Sequence, residues 1–155
     1  MQSIGFINKF ILQQSKKHIE NKSYLSSMLI LTIGLEIMGG FFDKKPLKSP
    51  KQSKLRFNVA IDKLLGGKYS LYNKNDFLYE ALRNQLVHSL LIGNKLKVSL
   101  NEKHLTEKDG FIVFNPLTFY DDIENASKKL VKLASENRIM LKKIPDNYLI
   151  LTPFI

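Results

Sequence analysis

The sequence has 155 residues, no cysteine and a formal net charge of +10. That length suits one domain over residues 1–155 with a sizeable core, and the absence of cysteine excludes disulfides and thiolate-ligated metal. The surplus of cations favours acidic partners, nucleic acid first, although lysine outnumbers arginine 21 to 3, a bias that an A/T-rich coding genome produces without any such partner.

In chain order, Ser3 to Glu20 reads as a first helix with Ile4, Ile7 and Ile11 on its apolar stripe. Lys9, Lys16 and Lys17 favour solvent, and His18 reads as a boundary residue. The apolar start is broken by Asn8 and Lys9 and no small-residue cleavage site follows, so no secretory signal is expected. Ser23 is placed to cap a second helix, Tyr24 to about Met38, apolar nearly all round and therefore expected in the middle of a bundle. The run Tyr24 to Phe42 is also about long enough to span a bilayer. Glu36 in its interior and the Gly39-Gly40 pair favour a buried bundle helix instead. Such a carboxylate needs a partner. Arg83 or His88 is the economical choice, and the alternative is that Glu36 reaches water or a lysine at the helix end. Gly39-Gly40 ends the helix or admits another backbone.

Asp43 to Lys54 holds two prolines and five lysines and reads as a long loop, either an arm for phosphates or a solvated connector. Ser53 to Leu65 reads as a third helix closed by Gly66-Gly67. Lys68 to Lys74 reads as a connector, with Tyr69 and Tyr72 either packed over the bundle end or open to stacking on bases. Asp76 to Gly93 then reads as one helix, capped by Asn75 or Asp76 and stopped by Gly93-Asn94. At about 100° per residue, Leu78, Tyr79, Leu82, Leu86 and Leu90 form its core face. Glu80, Asn84 and His88 form a polar row at i, i+4, i+8. Val87, Leu91 and Phe77 lie between Arg83 and His88, as an interface to a partner would require.

Beyond this helix the period changes. Leu96, Val98 and Leu100 alternate with polar residues, Phe111 to Phe114 is a second short apolar run, and the two read as a β-hairpin with a long loop ending in Asp109-Gly110. His104, in that loop, is given no role. After the Asn115-Pro116 break, Thr118 is expected to cap a last long helix with Asp121, Asp122 and Glu124 early in it and Ile123, Ala126, Leu130 and Leu133 inward. The tail from Ile144 to Ile155 reads as extended, a candidate third strand. The whole is mainly α, a bundle of about four to five helices with a small β-hairpin before the last long helix.

Arg83-Asn84-x-x-x-His88 matches the Arg-polar-x-x-x-His motif of HEPN domains. Together with Ile33-Gly34-Leu35-Glu36-Ile37-Met38-Gly39-Gly40 and Leu55-Arg56-Phe57, it resembles an uncharacterised bacterial HEPN-like subgroup over about two thirds of the chain. The resemblance implies a helical bundle that forms a homodimer through the Arg83–His88 helix, with catalytic Arg83, Asn84 and His88 supported by Glu36 and Glu80. It also implies a cytoplasmic, toxin or defence role, with a separate antitoxin chain as partner, since no nucleotidyltransferase segment is attached. Three scattered histidines and no paired carboxylates at ligand spacing leave no metal site and no cofactor. Metal-free RNA cleavage remains, with His88 suited to take the 2′-hydroxyl proton and Arg83 to face the phosphate. The competing expectation is a non-catalytic module that binds a nucleotide or a protein. There the same row holds Glu36 or seals the dimer.

Overall fold

The computed structural model describes residues 3–144. Six helices and one three-stranded sheet make up that span: α1 (residues 3–20), α2 (Tyr24–Gly39, extended by a 3-10 turn, Gly40–Phe42), α3 (residues 53–65), α4 (Gly67–Tyr72), α5 (residues 77–89), β1 (Leu96–Val98), β2 (Thr106–Lys108), β3 (Phe111–Phe114) and α6 (Pro116–Ser135). The mainly helical bundle with a small sheet ahead of the last long helix is the expected architecture.

The core runs through every layer. Ile7 and Ile11 of α1, Met28, Leu31 and Leu35 of α2, Phe57 and Ile61 of α3, Leu78, Leu82 and Leu86 of α5, and Phe119, Ile123 and Leu130 of α6 belong to one buried cluster. α2 is the central helix, packed against α1, α3 and α6, which is why it is apolar nearly all round. A Cβ at Gly39 would collide with the Arg56 carbonyl, so this glycine lets α3 cross α2 at backbone contact.

Several local expectations are corrected. Ser23 makes no side-chain cap to α2. Most of the expected connector, Lys68 to Lys74, belongs instead to the short helix α4, in which Tyr69 is buried, as the packed alternative for it expected. The start of α5 is capped by neither Asn75 nor Asp76, which both take left-handed backbone angles. Asn73 does it from a turn upstream, its Oδ1 accepting from Leu78 N at 3.0 Å and Tyr79 N at 3.2 Å. At the other end α5 stops at Ser89, not Gly93, because Leu90 turns left-handed (φ 56°). Leu90 is therefore 62% exposed instead of lying on the core face. The first half of α5 is a π-turn, Tyr79–Asn84, in which Gln85 N–H bonds the carbonyls of Glu80 and Leu82. The Ala81 carbonyl instead accepts from Gly93 N at 2.7 Å.

The sheet order is β1-β3-β2. The expected hairpin between 96–100 and 111–114 is corrected: β1 and β3 pair in parallel, Leu96 beside Ile112 and Val98 beside Phe114. The hairpin is β2–β3, antiparallel with Lys108 beside Phe111. Asp109 (φ 52°) and Gly110 (φ 77°) form its two-residue turn, whose left-handed pair matches the twist of the strands. β1 and β2 run in opposite directions but leave one strand's width between them, and β3 returns into that gap. The tail's expected strand lies, past Ile144, outside the described residues. α6 is capped by Asn115, not Thr118: Asn115 Oδ1 accepts from Leu117 N at 2.9 Å and Thr118 N at 3.3 Å, with Pro116 next in line.

Candidate functional site

The row singled out by spacing sits on α5, between α2 and the start of α3. Arg83 points inward. Its Nε donates to Glu36 Oε2 at 2.7 Å and its Nη2 to Ser53 Oγ at 3.1 Å. Both ion-pair side chains are largely covered, 15% and 19% exposed. The Arg83 guanidinium also lies 5.8 Å from the Tyr79 ring centre. Arg83, and not His88, is thus the partner of Glu36. Glu80 and Asn84 form a second, exposed network, with Asn84 Nδ2 donating to Glu80 Oε2 at 3.0 Å. Lys54 Nζ lies 3.1 Å from Glu80 and 3.2 Å from Asp76, pinning the start of α3 to the start of α5.

His88 stands apart. It is exposed on the last turn of α5. Among the described residues it shares no hydrogen bond with Arg83, Asn84 or Glu80. Around it Val87, Leu90 and Leu91 are 37%, 62% and 63% exposed. The structure therefore divides the motif: Arg83 is committed to Glu36, Asn84 to Glu80, and His88 faces out among apolar neighbours. Phe77, expected in the same strip, packs partly buried against the core.

A second polar system joins residues that spacing did not bring together. Backbone N–H of Asn115 donates to His104 Nδ1 at 2.9 Å. That nitrogen is therefore an acceptor, and in the neutral ring the proton sits on Nε2. Nε2 lies 2.8 Å from Tyr69 Oη, which in turn donates to Asp122 Oδ2 at 2.8 Å. The result is a directed chain from the α6 cap through the β-loop and α4 back to α6. Burial, with Lys68 nearby, holds the His104 imidazolium down to about 4. Burial also raises the Asp122 carboxyl, against the lowering effect of the Tyr69 hydrogen bond, and raises the Tyr69 phenol. These groups line a cavity of about 430 Å³ together with Lys68, Lys103 and Thr118. Sequence reading missed it because its three side chains are 35 and 53 residues apart. The one local signal was the Asn115-Pro116 pair, which fixes where α6 begins.

A third system folds the lysine loop. Arg56, only 4% exposed, donates from Nε to Asp43 Oδ2 at 2.7 Å, from Nη1 to the Leu47 carbonyl at 2.6 Å, and from Nη2 to the Pro46 carbonyl at 2.9 Å. Lys142 Nζ reaches the other Asp43 oxygen at 2.9 Å. Hydrogen bonds from Arg56 and Lys142 overcome the burial of Asp43 and hold its carboxyl at about 2. Residues 43–47 are thus a solvated connector, as one of the two expectations had it, but one fixed to the bundle and not a free arm.

Among the described residues, no three His, Asp or Glu side chains come together as a metal site needs. One helix, residues Tyr24–Phe42, is long and apolar enough to cross a membrane, but most of it is buried in the bundle. Compared with family models, curated proteins and solved structures, the chain matches none.

Proposed function

We propose that the chain is a non-catalytic, HEPN-like binding module in which the Arg83-Asn84-His88 row is structural. The 2.7 Å Arg83–Glu36 pair carries this reading. A cation that stabilises charge developing on a phosphate must be free to turn toward it. Arg83 instead neutralises a largely covered carboxylate, and releasing it leaves Glu36 without its partner. Neither cavity described for this chain is lined by Arg83, Asn84 or His88. On this reading the module works in the cytoplasm and recognises a separate, acidic chain, with Glu36 and Glu80 as framework residues.

The exposure of His88 favours a second reading, a metal-independent endoribonuclease assembled across a homodimer. Val87, Leu90 and Leu91 would meet their counterparts, and two copies of His88 would supply acid and base to one RNA. Incubating total RNA and tRNA with the wild-type protein and with His88→Ala in EDTA separates the two. The binding-module reading expects intact RNA in both reactions. Cleavage by wild type alone, leaving 2′,3′-cyclic phosphate ends, overturns it in favour of the nuclease.

A further inference from the structure

A second cavity, larger than the one beside His104, lies away from the Arg83–His88 row. The C-terminal end of α2 and its 3-10 turn supply Ile37, Phe41 and Phe42, α1 supplies Phe6, the lysine loop supplies residues 43–48, and the segment after α6 supplies residues 138–140 and 142–144. It holds about 1070 Å³, above the roughly 300–1,000 Å³ typical of sites for small molecules. Met140 stands 82% exposed at its side.

The walls differ from the floor. Lys44, Lys45, Lys48, Arg138, Lys142 and Lys143 all line the groove, and Asp43 is the one acid among the lining residues. Asp43 is already committed, one oxygen to Arg56 and the other to Lys142. Lys45 is hydrogen-bonded to Gln52, and Arg138 lies 3.5 Å from Glu136. Lys44, Lys48 and Lys143 are exposed. Among the described residues none of these three is ion-paired. The Arg56 clamp matters here, because it fixes the backbone of residues 45–47, between Lys44 and Lys48, on one side of the groove, while Lys142 and Lys143 come from the segment after α6.

We propose that this groove is the docking site for an acidic, amphipathic peptide segment of a partner protein, an inference that rests on the binding-module reading. The floor accepts apolar side chains at i, i+3 or i+4, and i+7 of a short helix, and the lysine wall pairs with acidic residues on its flank. Single-stranded nucleic acid fits less well. Phe41 is 3% exposed and Phe6 is stacked on Phe10, which leaves the half-buried Phe42 as the one other aromatic in the lining, whereas sequence-tolerant binding of single strands depends on a succession of open ring faces.

The test is fluorescence anisotropy of the full chain with a fluorescein-labelled helical peptide made of Leu, Phe and Glu in that spacing, beside a control with Lys for every Glu. The acidic peptide is expected to bind and the basic one not. Reversing Lys44→Glu, Lys48→Glu and Lys143→Glu together is expected to weaken binding by about tenfold or more, and Met140→Asp to weaken it by removing an exposed apolar contact at the groove's side. All four positions are exposed, so the variants keep the fold. Absence of binding, equal binding of both peptides, or binding indifferent to charge reversal would overturn the proposal. So would full displacement of the peptide by polyuridylate, which assigns the groove to nucleic acid. Binding seen only after the chain is ended at Ile144 overturns it as well, because the occupant is then the chain's own segment 145–155. A protein that leaves RNA intact and ignores the peptide loses this inference alone. One that cleaves RNA loses the reading beneath it.

Discussion

His88 and His104 are the two histidines around which the molecule's polar chemistry divides. His88 belongs to a regular row of polar residues on one helix yet stands exposed at the end of α5, without a hydrogen bond to Arg83, Asn84 or Glu80 among the described residues. His104 belongs to no such row, yet both ring nitrogens are engaged and three elements meet at it. Regular spacing on one helix finds residues that share a face. It does not say which of them the rest of the fold will use. The used histidine is the one whose partners arrive from distant parts of the chain.

The largest effect expected from this contrast comes from Tyr69→Phe. It removes the hydroxyl that links His104 to Asp122 and leaves both part-buried partners short of a bond, a loss of about 2–3 kcal/mol. Chemical denaturation at neutral pH measures it, and an unchanged midpoint would mean that solvent already satisfies both groups. Next is acid. His104 is held at about 4 in the fold against about 6.5 for a free imidazole. Between those values the unfolded chain binds a proton that the native chain does not, so this contribution is complete above pH 6.5 and is lost as pH falls toward 4. The slope cannot exceed about 1.4 kcal/mol per pH unit for one proton. The difference in stability between wild type and His104→Gln should shrink over that window. Asp43, and Glu102 in the loop before β2, whose carboxylate accepts hydrogen bonds from Lys108 and Lys97, are both held at about 2 and lose their contributions only below about pH 4, so the two windows separate in one titration.

Smaller still is Glu36→Gln, which leaves Arg83 charged without its counter-ion. Partial exposure of both groups limits the cost to about 1 kcal/mol. A loss several times larger in thermal melts would mean that the pair is more tightly sealed than its exposure indicates. The smallest effect belongs to His88→Ala, expected within about 0.5 kcal/mol of wild type. A substantial loss there would show that His88 is held by a second copy, which concentration-dependent melting would reveal.

The helices were legible because their determinants are local. The apolar stripes of α1, α3 and α6, the wholly apolar character of α2 and the glycine pair at its end all sit within one element. The need of Glu36 for a cation was legible too, since a carboxylate in an apolar helix has few solutions. What escaped depended on chain reversals. The Asp109-Gly110 pair marks a turn in the sequence, but that it joins β3 to β2 and not to β1 depends on β3 returning between them. Leu90 followed the leucine period and was placed inside, although its left-handed backbone ends the helix one residue earlier. Asn73 and Asn115 both act as caps from outside the segments they cap. Tyr69, His104 and Asp122 share no window in the sequence at all.

The Arg56 clamp has a consequence for how the protein meets a protease. A segment with five lysines between residues 43 and 54 offers trypsin a dense set of target bonds. Cleavage requires several consecutive residues to leave the surface and extend. With the carbonyls of Pro46 and Leu47 and the carboxylate of Asp43 all bound to one buried guanidinium, the first half of this segment cannot leave without stripping that cation of its partners. Nicking should therefore concentrate at Lys48 and Lys51, beyond the clamp, and the fragments should stay associated through the shared core.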